Sequence, residues 1–333
     1  MIIIKSKNIL MEMINKKINK VAVLGSGIMG SRIACHFANI GVEVLLLDIV
    51  PKEGPRNGIV DAALQTAVKT NPSPVYSKKV LNKITTGNFD DDMSKIAGCD
   101  WIIEVVVENL DIKKKVFEQV EQHRKPGTLV TSNTSGILIH MMAEGRSDDF
   151  KANFCGTHFF NPPRYLRLLE IIPTPHTKPE LVDFLMHYGD KFLGKTTVLC
   201  KDTPAFIANR VGVYSIMALL HLVEKMELTV EEVDKYTGPA LGRPKSATFR
   251  TTDVVGLDTM IKVAKGLYDN CPDDKAHDLF KLPAYVEKME ANKWLGDKTN
   301  QGFYKKTKTA EGKTEILALD LKTLEYRPQV KVK

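Results

Sequence analysis

The sequence lacks the features by which several broad classes of protein are recognised. Its five cysteines are scattered and form no Cys-x-x-Cys pair, which favours buried free thiols in a reducing compartment over a disulfide framework. Histidines, cysteines and carboxylates do not cluster at metal-ligand spacing, so no metal is expected. No stretch approaches the ~18 apolar residues that span a bilayer. Metalloproteins, membrane proteins and disulfide-rich scaffolds are therefore disfavoured.

A strong charge of one sign is also lacking, because the net charge is only +7. Lysines gather in residues 5–20 and 305–333, and solvated, frayed termini explain them better than a nucleic-acid site does. The surplus is compatible with a polyanionic substrate such as a CoA thioester, without requiring one. We therefore expect a small-molecule substrate, and neither nucleic acid nor membrane as a partner.

The N-terminal segment does not have the pattern of a secretory signal. Residues 1–5 (MIIIK) are apolar only up to the lysine, and no small-residue cleavage site follows. The sequence therefore predicts a cytoplasmic protein, in which residues 1–18 form a mobile extension outside the fold.

A glycine-rich turn near the start of the chain predicts a dinucleotide site. Residues 20–25 (KVAVLG) read as a short buried strand, and a helical pattern begins at residue 31. The turn between them is a G-x-G-x-x-G motif in the strand–turn–helix context that binds dinucleotides. Its glycines permit a tight turn, approach of the pyrophosphate and close packing of the helix. The predicted cofactor-binding residues of this turn are Gly25, Gly27, Ile28, Met29 and Gly30.

Asp48 ends the second strand, residues 42–48 (VEVLLLD), and predicts which dinucleotide is bound. A carboxylate at this position accepts a hydrogen bond from the ribose 2′-hydroxyl and repels a 2′-phosphate. NAD is therefore expected rather than NADP. An exposed aspartate at the end of an ordinary strand is the plain alternative.

Further apolar runs predict an α/β fold with a Rossmann-type, doubly wound sheet. They cover residues 100–107, 128–133, 154–160, 166–172 and 196–200, and such continuous runs indicate a mostly parallel sheet covered on both faces. The NAD-binding domain is placed at residues 19–201. A helical pattern then predicts an all-α domain at residues 202–306, with a tail at 307–333. Asp202 or Thr203 is expected to cap its long first helix.

A histidine and a carboxylate stand out on neighbouring runs. His158 lies where the run 154–160 enters a turn, and Glu170 is the lone carboxylate in the run 166–172. A carboxylate fixes the tautomer of an imidazole and stabilises its charged form. A structural core histidine is the alternative, but a buried carboxylate without a partner is costly. The pair predicts a nicotinamide-dependent alcohol oxidation with His158 as base.

Ser135 and Asn209 are two further polar residues expected at the same edge of the sheet. Ser135 follows the strand at 128–133, and Asn209 lies near the start of the helical domain. In a parallel sheet, groups that act on a substrate belong at the carboxyl ends of the strands beside the cofactor. On local grounds alone, Ser135 is equally a helix cap, and Asn209 a side chain bonded to its own backbone.

Taken together, these motifs resemble the 3-hydroxyacyl-CoA dehydrogenase family from about residue 20 to residue 306. The matching segments are residues 25–30, 106–110, 132–135, 158–162, 201–204, 209–210, 255–258 and 302–304. Each is weak alone, but their joint order and spacing are specific. Residues 161–165 and 242–249 look most like the dehydrogenase portion of large bacterial β-oxidation proteins that also carry an enoyl-CoA hydratase part.

The resemblance implies an activity and a set of substrate contacts. The reaction would be NAD-dependent oxidation of (3S)-3-hydroxyacyl-CoA to 3-ketoacyl-CoA in fatty-acid β-oxidation. His158 would be the general base in this direction and the general acid in reverse, with Glu170 paired to it. Ser135 and Asn209 would hold the 3-oxygen and the thioester region of the substrate near His158.

The resemblance also implies contacts to the cofactor and an assembly. Glu108 and Lys113 match positions that contact the nicotinamide ribose. Ser135 is predicted to be a cofactor-binding residue as well. Asn161 and Lys298 match positions near the nicotinamide end. A homodimer formed through the helical domain is expected, and the sequence is compatible both with a stand-alone enzyme and with one segment of a longer multifunctional protein.

Some alternatives stay open at this point. Residues 51–58 (PKEGPRNG) stand where relatives carry a longer basic excursion that helps to hold CoA, so Lys52, Arg56 and Lys69 are only candidate phosphate partners. One rival function is a dehydrogenase of small 3-hydroxy acids without CoA. Another is a non-catalytic, NAD-binding segment of a multifunctional protein.

Overall fold

The structure, a computed structural model, describes residues 17–309 and 312–332. These residues form two compact units that divide between Phe206 and Ile207. Most of the predicted N-terminal extension, residues 1–16, lies outside the described residues. Its last predicted residue, Ile18, is only 4% exposed and packs in the core of the first unit, so the fold begins earlier than predicted.

The first unit is built on an eight-stranded sheet with the order β3-β2-β1-β4-β5-β6-β7-β8. The strands are β1 (Lys20–Leu24), β2 (Glu43–Asp48), β3 (Ile84–Asn88), β4 (Trp101–Glu104), β5 (Leu129–Ser132), β6 (Phe154–Phe159), β7 (Leu168–Pro173) and β8 (Thr196–Leu199). All neighbouring strands are parallel except β6 and β7, which are antiparallel. The predicted Rossmann-type, mostly parallel sheet is confirmed.

Helices follow most strands of this sheet. They are α1 (Ile28–Asn39), α2 (Gly58–Val68), α3 (Phe89–Asp92), α4 (Leu110–His123), α5 (Ile139–Ala143), α6 (Asp148–Ala152) and α7 (Pro179–Lys191), with 3-10 turns at Lys78–Lys83 and Met93–Gly98. Alternation of side chains along each strand gives the sheet two apolar faces. On β1, Val21 and Val23 join one core cluster, while Ala22 and Leu24 join the other. Both faces are therefore buried, as the continuous apolar runs predict.

Strand β3 is an element that the sequence analysis missed. Its residues, ITTGN, are short and polar, and they include a glycine that weakens strand propensity. In the structure β3 extends the sheet beyond β2, with Val44 opposite Ile84 and Asp48 opposite Asn88. Pairing with β2 compensates for the weak local signal.

The second unit is mainly helical, as predicted, but it also contains strands. Its helices are α8 (Ala208–Met226), α9 (Val230–Thr237), α10 (Phe249–Val255), α11 (Leu257–Asn270) and α12 (Ala284–Ala291), with 3-10 turns at Pro239–Leu241, His277–Phe280 and Asp297–Thr299. The segment predicted as a tail contributes to a three-stranded antiparallel sheet formed by β9 (Tyr304–Lys308), β10 (Thr314–Leu319) and β11 (Tyr326–Pro328). Ala318 and Leu319 of β10 are fully buried.

The predicted helix cap at Asp202 is wrong. Its carboxylate accepts hydrogen bonds from the backbone N–H groups of Ile139 (2.7 Å) and His140 (2.9 Å), and so it caps α5 instead. The long helix α8 begins only at Ala208. Strand β8, which precedes Asp202, runs antiparallel to β5, which precedes α5, so this contact is set by the tertiary fold and not by a shared strand end.

Two findings bear on the predicted class of protein. The five cysteines are free, and all except Cys271 are buried. Burial raises the pKa of Cys99 to about 11, well above its ordinary value. Among the described residues, every helix is too short or too polar to cross a bilayer.

Candidate active site

The glycine-rich turn between β1 and α1 has the shape of a phosphate cradle. Gly25 has a φ of +103°, and a Cβ at this position would lie 2.6 Å from the carbonyl oxygen of Val105. A Cβ on Gly30 would lie 1.9 Å from the oxygen of Gly25. A Cβ on Gly27 would meet nothing within 4 Å. Two glycines are therefore required by the fold, whereas Gly27 leaves open space beside the start of α1.

The N-terminus of α1 is suited to an anion. No side chain caps it, and its first turn contains no acidic residue. Its free N–H groups and the helix dipole favour negative charge at this end. Ile28, the first residue of the helix, is 68% exposed, whereas Met29 packs against the core. These residues fit the pyrophosphate of a dinucleotide.

Asp48 lies beside this turn at the end of β2. Its Oδ2 atom accepts a hydrogen bond from the backbone N–H of Ser26 at 2.6 Å and another from the Ser26 hydroxyl. Its Oδ1 atom accepts from the backbone N–H of Ile49 at 2.7 Å. A carboxylate has about four acceptor positions, so it can still accept from a ribose hydroxyl. The side chain is therefore fixed in orientation and remains able to accept a further hydrogen bond.

His158 and Glu170 face each other across the antiparallel pair β6 and β7. The register places the two residues directly opposite, and His158 Nδ1 lies 2.7 Å from Glu170 Oε2. The histidine is 5% exposed and the glutamate is fully buried. The carboxylate accepts from Nδ1–H, which leaves Nε2 as the acceptor of the neutral imidazole.

Aromatic rings limit the space around this imidazole. The ring centroids of Phe160 and Phe206 lie 4.4 Å and 5.7 Å from that of His158. Among the described residues, Nε2 makes no hydrogen bond, so one nitrogen is held and the other is available for a proton. That arrangement is what a general base requires.

Glu108 fixes the turn that carries Ser135. Its Oε1 atom accepts hydrogen bonds from Thr134 Oγ1 (2.6 Å) and from the backbone N–H groups of Ser135 (3.1 Å) and Gly136 (2.9 Å). Although burial alone would raise the pKa of Glu108, the charge of Lys113 and these hydrogen bonds hold it below its ordinary value. Glu108 is therefore an anion that orders this turn, and Ser135 itself is exposed.

Lys113 lies on α4, whose N-terminus is capped by Asn109, and the structure places its ammonium group inside the protein. The side chain is 1% exposed; Nζ donates to Glu104 Oε1 at 2.7 Å and lies 3.5 Å from Glu108 Oε2. Burial raises the pKa of the fully buried Glu104. Glu104 also accepts from the hydroxyl of Ser132. Lys113 thus links two carboxylates, and its contact with a nicotinamide ribose stays a prediction.

Glu104 is a residue of this site that the sequence analysis missed. It lies within the apolar run of β4, as Glu170 lies within β7. A lone carboxylate inside a buried strand was the available signal in both cases, since such a group requires partners.

Asn161 lies in the connection between β6 and β7, just after His158. Its Oδ1 atom accepts a hydrogen bond from Arg32 of α1. The connection that follows His158 is thereby tied to the helix that follows the glycine-rich turn. Within the first unit, Gly25–Gly30, Asp48, Glu108, Ser135, His158 and Asn161 all lie at or just beyond strand ends.

Asn209 and Lys298 belong to the second unit, and their roles stay predictions. Asn209 is in the first turn of α8. Lys298 lies in a 3-10 turn and forms an ion pair with Asp258. The candidate phosphate partner Arg56, in the first unit, instead donates to Asp91, with Nε 2.6 Å from Oδ2.

One motif of the second unit proves to be structural. The carboxylate of Asp253 accepts from the backbone N–H groups of Phe303 (2.9 Å) and Tyr304 (2.8 Å). A Cβ on Gly302 would lie 2.1 Å from Asp253 Oδ1. Burial raises the pKa of Asp253 to about 6. The sequence Gly302-Phe-Tyr304 therefore joins β9 to α10.

The order of the strands separates two functions along one edge. The phosphate cradle and Asp48 lie at β1 and β2, while the paired imidazole lies at β6, beyond β4 and β5. An extended dinucleotide bound at a switch point spans such an edge, with its adenosine half on one side and its reactive ring on the other. A cradle for the cofactor and a held base on a single sheet define an oxidoreductase that uses a dinucleotide.

Comparison with known proteins identifies the family. Residues 20–203 match the family model for the 3-hydroxyacyl-CoA dehydrogenase NAD binding domain, and residues 206–306 match that of its C-terminal domain. The chain belongs to the 3-hydroxyacyl-CoA dehydrogenase family. The predicted family, the oxidoreductase class and the NAD cofactor are confirmed.

Relatives and solved structures agree with this assignment. A probable 3-hydroxyacyl-CoA dehydrogenase of Bacillus subtilis is 51% identical over 96% of this chain, but the match covers only 42% of that protein. Another, from Deinococcus radiodurans, is 46% identical over 88% of this chain and 84% of its own length. The crystal structure of the (S)-3-hydroxybutyryl-CoA dehydrogenase from Ralstonia eutropha is similar with a TM-score of 0.71, at 26% identity over 86% of this chain and 98% of that chain.

Proposed function

We propose that this chain interconverts (3S)-3-hydroxyacyl-CoA and 3-ketoacyl-CoA, with NAD as the hydride carrier. The observation that carries the proposal is the His158–Glu170 pair, with its 2.7 Å contact between Nδ1 and Oε2 at the carboxyl end of β6. Family membership supports the substrate class, and the relatives are named for it. A role in fatty-acid β-oxidation is the metabolic setting we propose.

His158 is the residue that moves the proton. In oxidation, Nε2 takes the proton of the 3-hydroxyl group, and Glu170 stabilises the imidazolium that forms. In reduction, the same nitrogen returns the proton to the 3-keto oxygen. Ser135 and Asn209 act as donors that orient the 3-oxygen and the thioester. Polar groups placed before the reaction stabilise developing charge without reorganisation.

Bound NAD supplies the hydride acceptor for the substrate carbon. The residues that would hold it are Gly25, Gly27 and Gly30 at the pyrophosphate and Asp48 at the ribose. Glu108, Lys113, Asn161 and Lys298 are assigned to the nicotinamide half. The open space at Gly27 and the uncapped start of α1 are the observations that support this fit.

The proposal is tested by following NADH absorbance with acetoacetyl-CoA as substrate. Parallel reactions replace NADH by NADPH, and the thioester by free acetoacetate. Turnover with NADH and the thioester alone is expected. Turnover of the free acid would favour a dehydrogenase of small 3-hydroxy acids, and NADH binding without turnover would favour a non-catalytic NAD-binding segment.

We also propose a homodimer formed through the helical unit. Along α8, Val211, Tyr214, Leu222 and Met226 are 60%, 47%, 48% and 61% exposed. Large exposed apolar side chains that recur on one helix mark an interaction surface, and a second copy of the chain is the proposed occupant. Light scattering of Leu222→Glu should show monomers, with Lys191→Gln, an exposed position of the first unit, as the control. Monomeric wild type would contradict the proposal.

A cytoplasmic location and membership of a longer multifunctional protein remain part of the proposal. The unmatched length of the Bacillus relative supports the second point. The mass of the native protein, measured by immunoblot of cell fractions, tests both.

A further inference from the structure

The loop between the strands of His158 and Glu170 is fixed from several sides. This 160–167 loop contains an internal turn, in which the N–H groups of Tyr165 and Leu166 both donate to the oxygen of Pro162 at 3.0 Å. On its outer side, Arg164 Nη1 donates to the backbone oxygens of Ser73 (2.7 Å) and Val75 (3.0 Å). The hydroxyl of Tyr165 also donates to the oxygen of Ser73 at 2.9 Å, so three hydrogen bonds to main-chain oxygens hold the exposed side.

Lys195 holds the inner side of the same loop. Its Nζ atom donates to the backbone oxygen of Leu166 at 2.9 Å and to that of Pro163. The residue is only 5% exposed, and the hydrogen bonds of its ammonium group go to these two backbone oxygens, with no carboxylate acceptor among the residues described. Burial lowers the pKa of Lys195 to about 8.

An ammonium group buried without an anion is costly to the fold. Among the described residues, its charge is stabilised by the two loop oxygens that it contacts and by the face of the Phe159 ring, 5.8 Å away. A charged donor binds such oxygens about twice as strongly as a neutral one. The buried ammonium group therefore restrains the 160–167 loop.

This loop follows His158 on the side of the sheet assigned to the nicotinamide half. The adenosine side is marked by Asp48 on β2, and β6 lies on the opposite side of β1. Asn161 opens the loop and accepts from Arg32 of α1. The position of Asn161 thus depends on how the loop is held.

We propose that Lys195 is a positioning residue, whose buried ammonium group holds the 160–167 loop so that Asn161 is in place for the nicotinamide half of the cofactor. The inference rests on the proposed function. A loop already held in its binding conformation avoids an ordering cost when the ligand binds. Without the hydrogen bonds from Lys195, the loop must be ordered when the cofactor binds, and the affinity for the cofactor falls.

The test compares the affinities of two ligands for the full chain by isothermal titration calorimetry. NADH carries the nicotinamide ring, whereas ADP-ribose lacks that ring and keeps both riboses and the pyrophosphate. Lys195→Met should weaken NADH by about tenfold and ADP-ribose by less than about twofold. Lys195→Arg, which keeps the cation, should recover most of the loss. Lys191→Met, an exposed lysine at the end of α7, is the matched control.

A merely structural role predicts a different pattern. If Lys195 only stabilises the fold, Lys195→Met weakens both ligands equally or neither, and either result overturns the proposal. If Lys195→Met does not fold, the double variant Arg164→Met, Tyr165→Phe removes the outer anchors of the same loop and must itself weaken NADH selectively. Equal affinities of that variant and the wild type would then overturn the proposal.

Catalysis provides a second readout. In the acetoacetyl-CoA reaction, Lys195→Met should raise the KM for NADH by about tenfold and leave the KM for the thioester within about twofold. A wild type that binds NADH but shows no turnover would defeat the proposed function, while the calorimetry still decides the role of Lys195.

Discussion

Acid is expected to destabilise the first unit through one buried histidine, His36 on α1. The residue is 5% exposed, and its Nε2 atom lies 3.1 Å from the backbone oxygen of Leu193. Its Nδ1 atom is buried and has no hydrogen-bond partner among the described residues. The neutral imidazole suits this position, because Nε2–H donates and no charge is buried.

The size of the effect follows from the shift in its pKa. Burial, together with the nearby charges of Lys195 and Arg164, lowers the pKa of His36 from 6.5 to about 4. The unfolded chain therefore takes up a proton near pH 6.5, whereas the folded chain does so only near pH 4. Above the pKa of the unfolded state, the contribution of His36 to the free energy of unfolding is fully present. As the pH falls to the pKa of the folded state, that free energy decreases by up to about 3 kcal/mol.

The variant His36→Gln tests this expectation. Glutamine keeps an N–H donor for Leu193 but cannot be protonated. At pH 7 the variant should be less stable than wild type by about 1 kcal/mol, through imperfect packing. Between about pH 7 and pH 4.5 it should gain about 2.5 kcal/mol relative to wild type. The order of stability should therefore reverse in acid.

Tryptophan fluorescence during urea unfolding makes the measurement specific to the first unit. The chain has 2 tryptophans, and Trp294→Phe leaves only Trp101, whose ring contacts Phe37 edge-on at 5.3 Å beside His36. His123→Gln, at an exposed position of α4, should show no pH-dependent difference. Equal separation of the wild-type and His36→Gln curves at every pH would refute the reasoning.

Three further predictions concern the cofactor and the chemistry. His158→Ala and Glu170→Gln should each lower kcat by about 100-fold or more while NADH affinity measured by calorimetry stays nearly unchanged, because the lost interaction belongs to the transition state; near-normal turnover would contradict the assignment. Asp48→Ser should reduce the preference for NADH over NADPH, measured as the ratio of kcat/KM values, by about tenfold or more; an unchanged ratio would exclude Asp48 from cofactor selection. Gly27→Ala should weaken NADH binding without lowering the unfolding temperature. Gly30→Ala should lower that temperature, because its Cβ would overlap a backbone oxygen 1.9 Å away. Identical behaviour of the two variants would contradict the assignment of this turn as a phosphate cradle.

The parts of the fold with strong local signals were predictable from sequence. The run VAVLG followed by a glycine-rich turn determines β1 and the start of α1, because few arrangements bury both the strand and the helix. The pairing of His158 with Glu170 was also accessible, since a carboxylate inside an apolar strand requires a partner. In the structure the two side chains are 2.7 Å apart.

The parts that depend on distant contacts were not predictable in this way. Strand β3 has weak propensity and forms by pairing with β2. Asp202 caps α5, from which it is separated by more than 60 residues. The strands of the predicted tail, β10 and β11, are stabilised by antiparallel pairing that no local pattern reveals. The roles of Glu104 and Lys195 follow from their burial, which the sequence does not reveal.

The antiparallel pairing of β6 and β7 has a consequence for how such an enzyme can diversify. The main-chain ladder sets His158 opposite Glu170, and the 160–167 loop connects the two strands without taking part in that pairing. An insertion or a substitution in that loop can therefore alter what meets the ligand while the distance between imidazole and carboxylate is preserved. Proton chemistry and ligand choice are encoded in separate stretches of one hairpin, so selection can act on the second without disturbing the first.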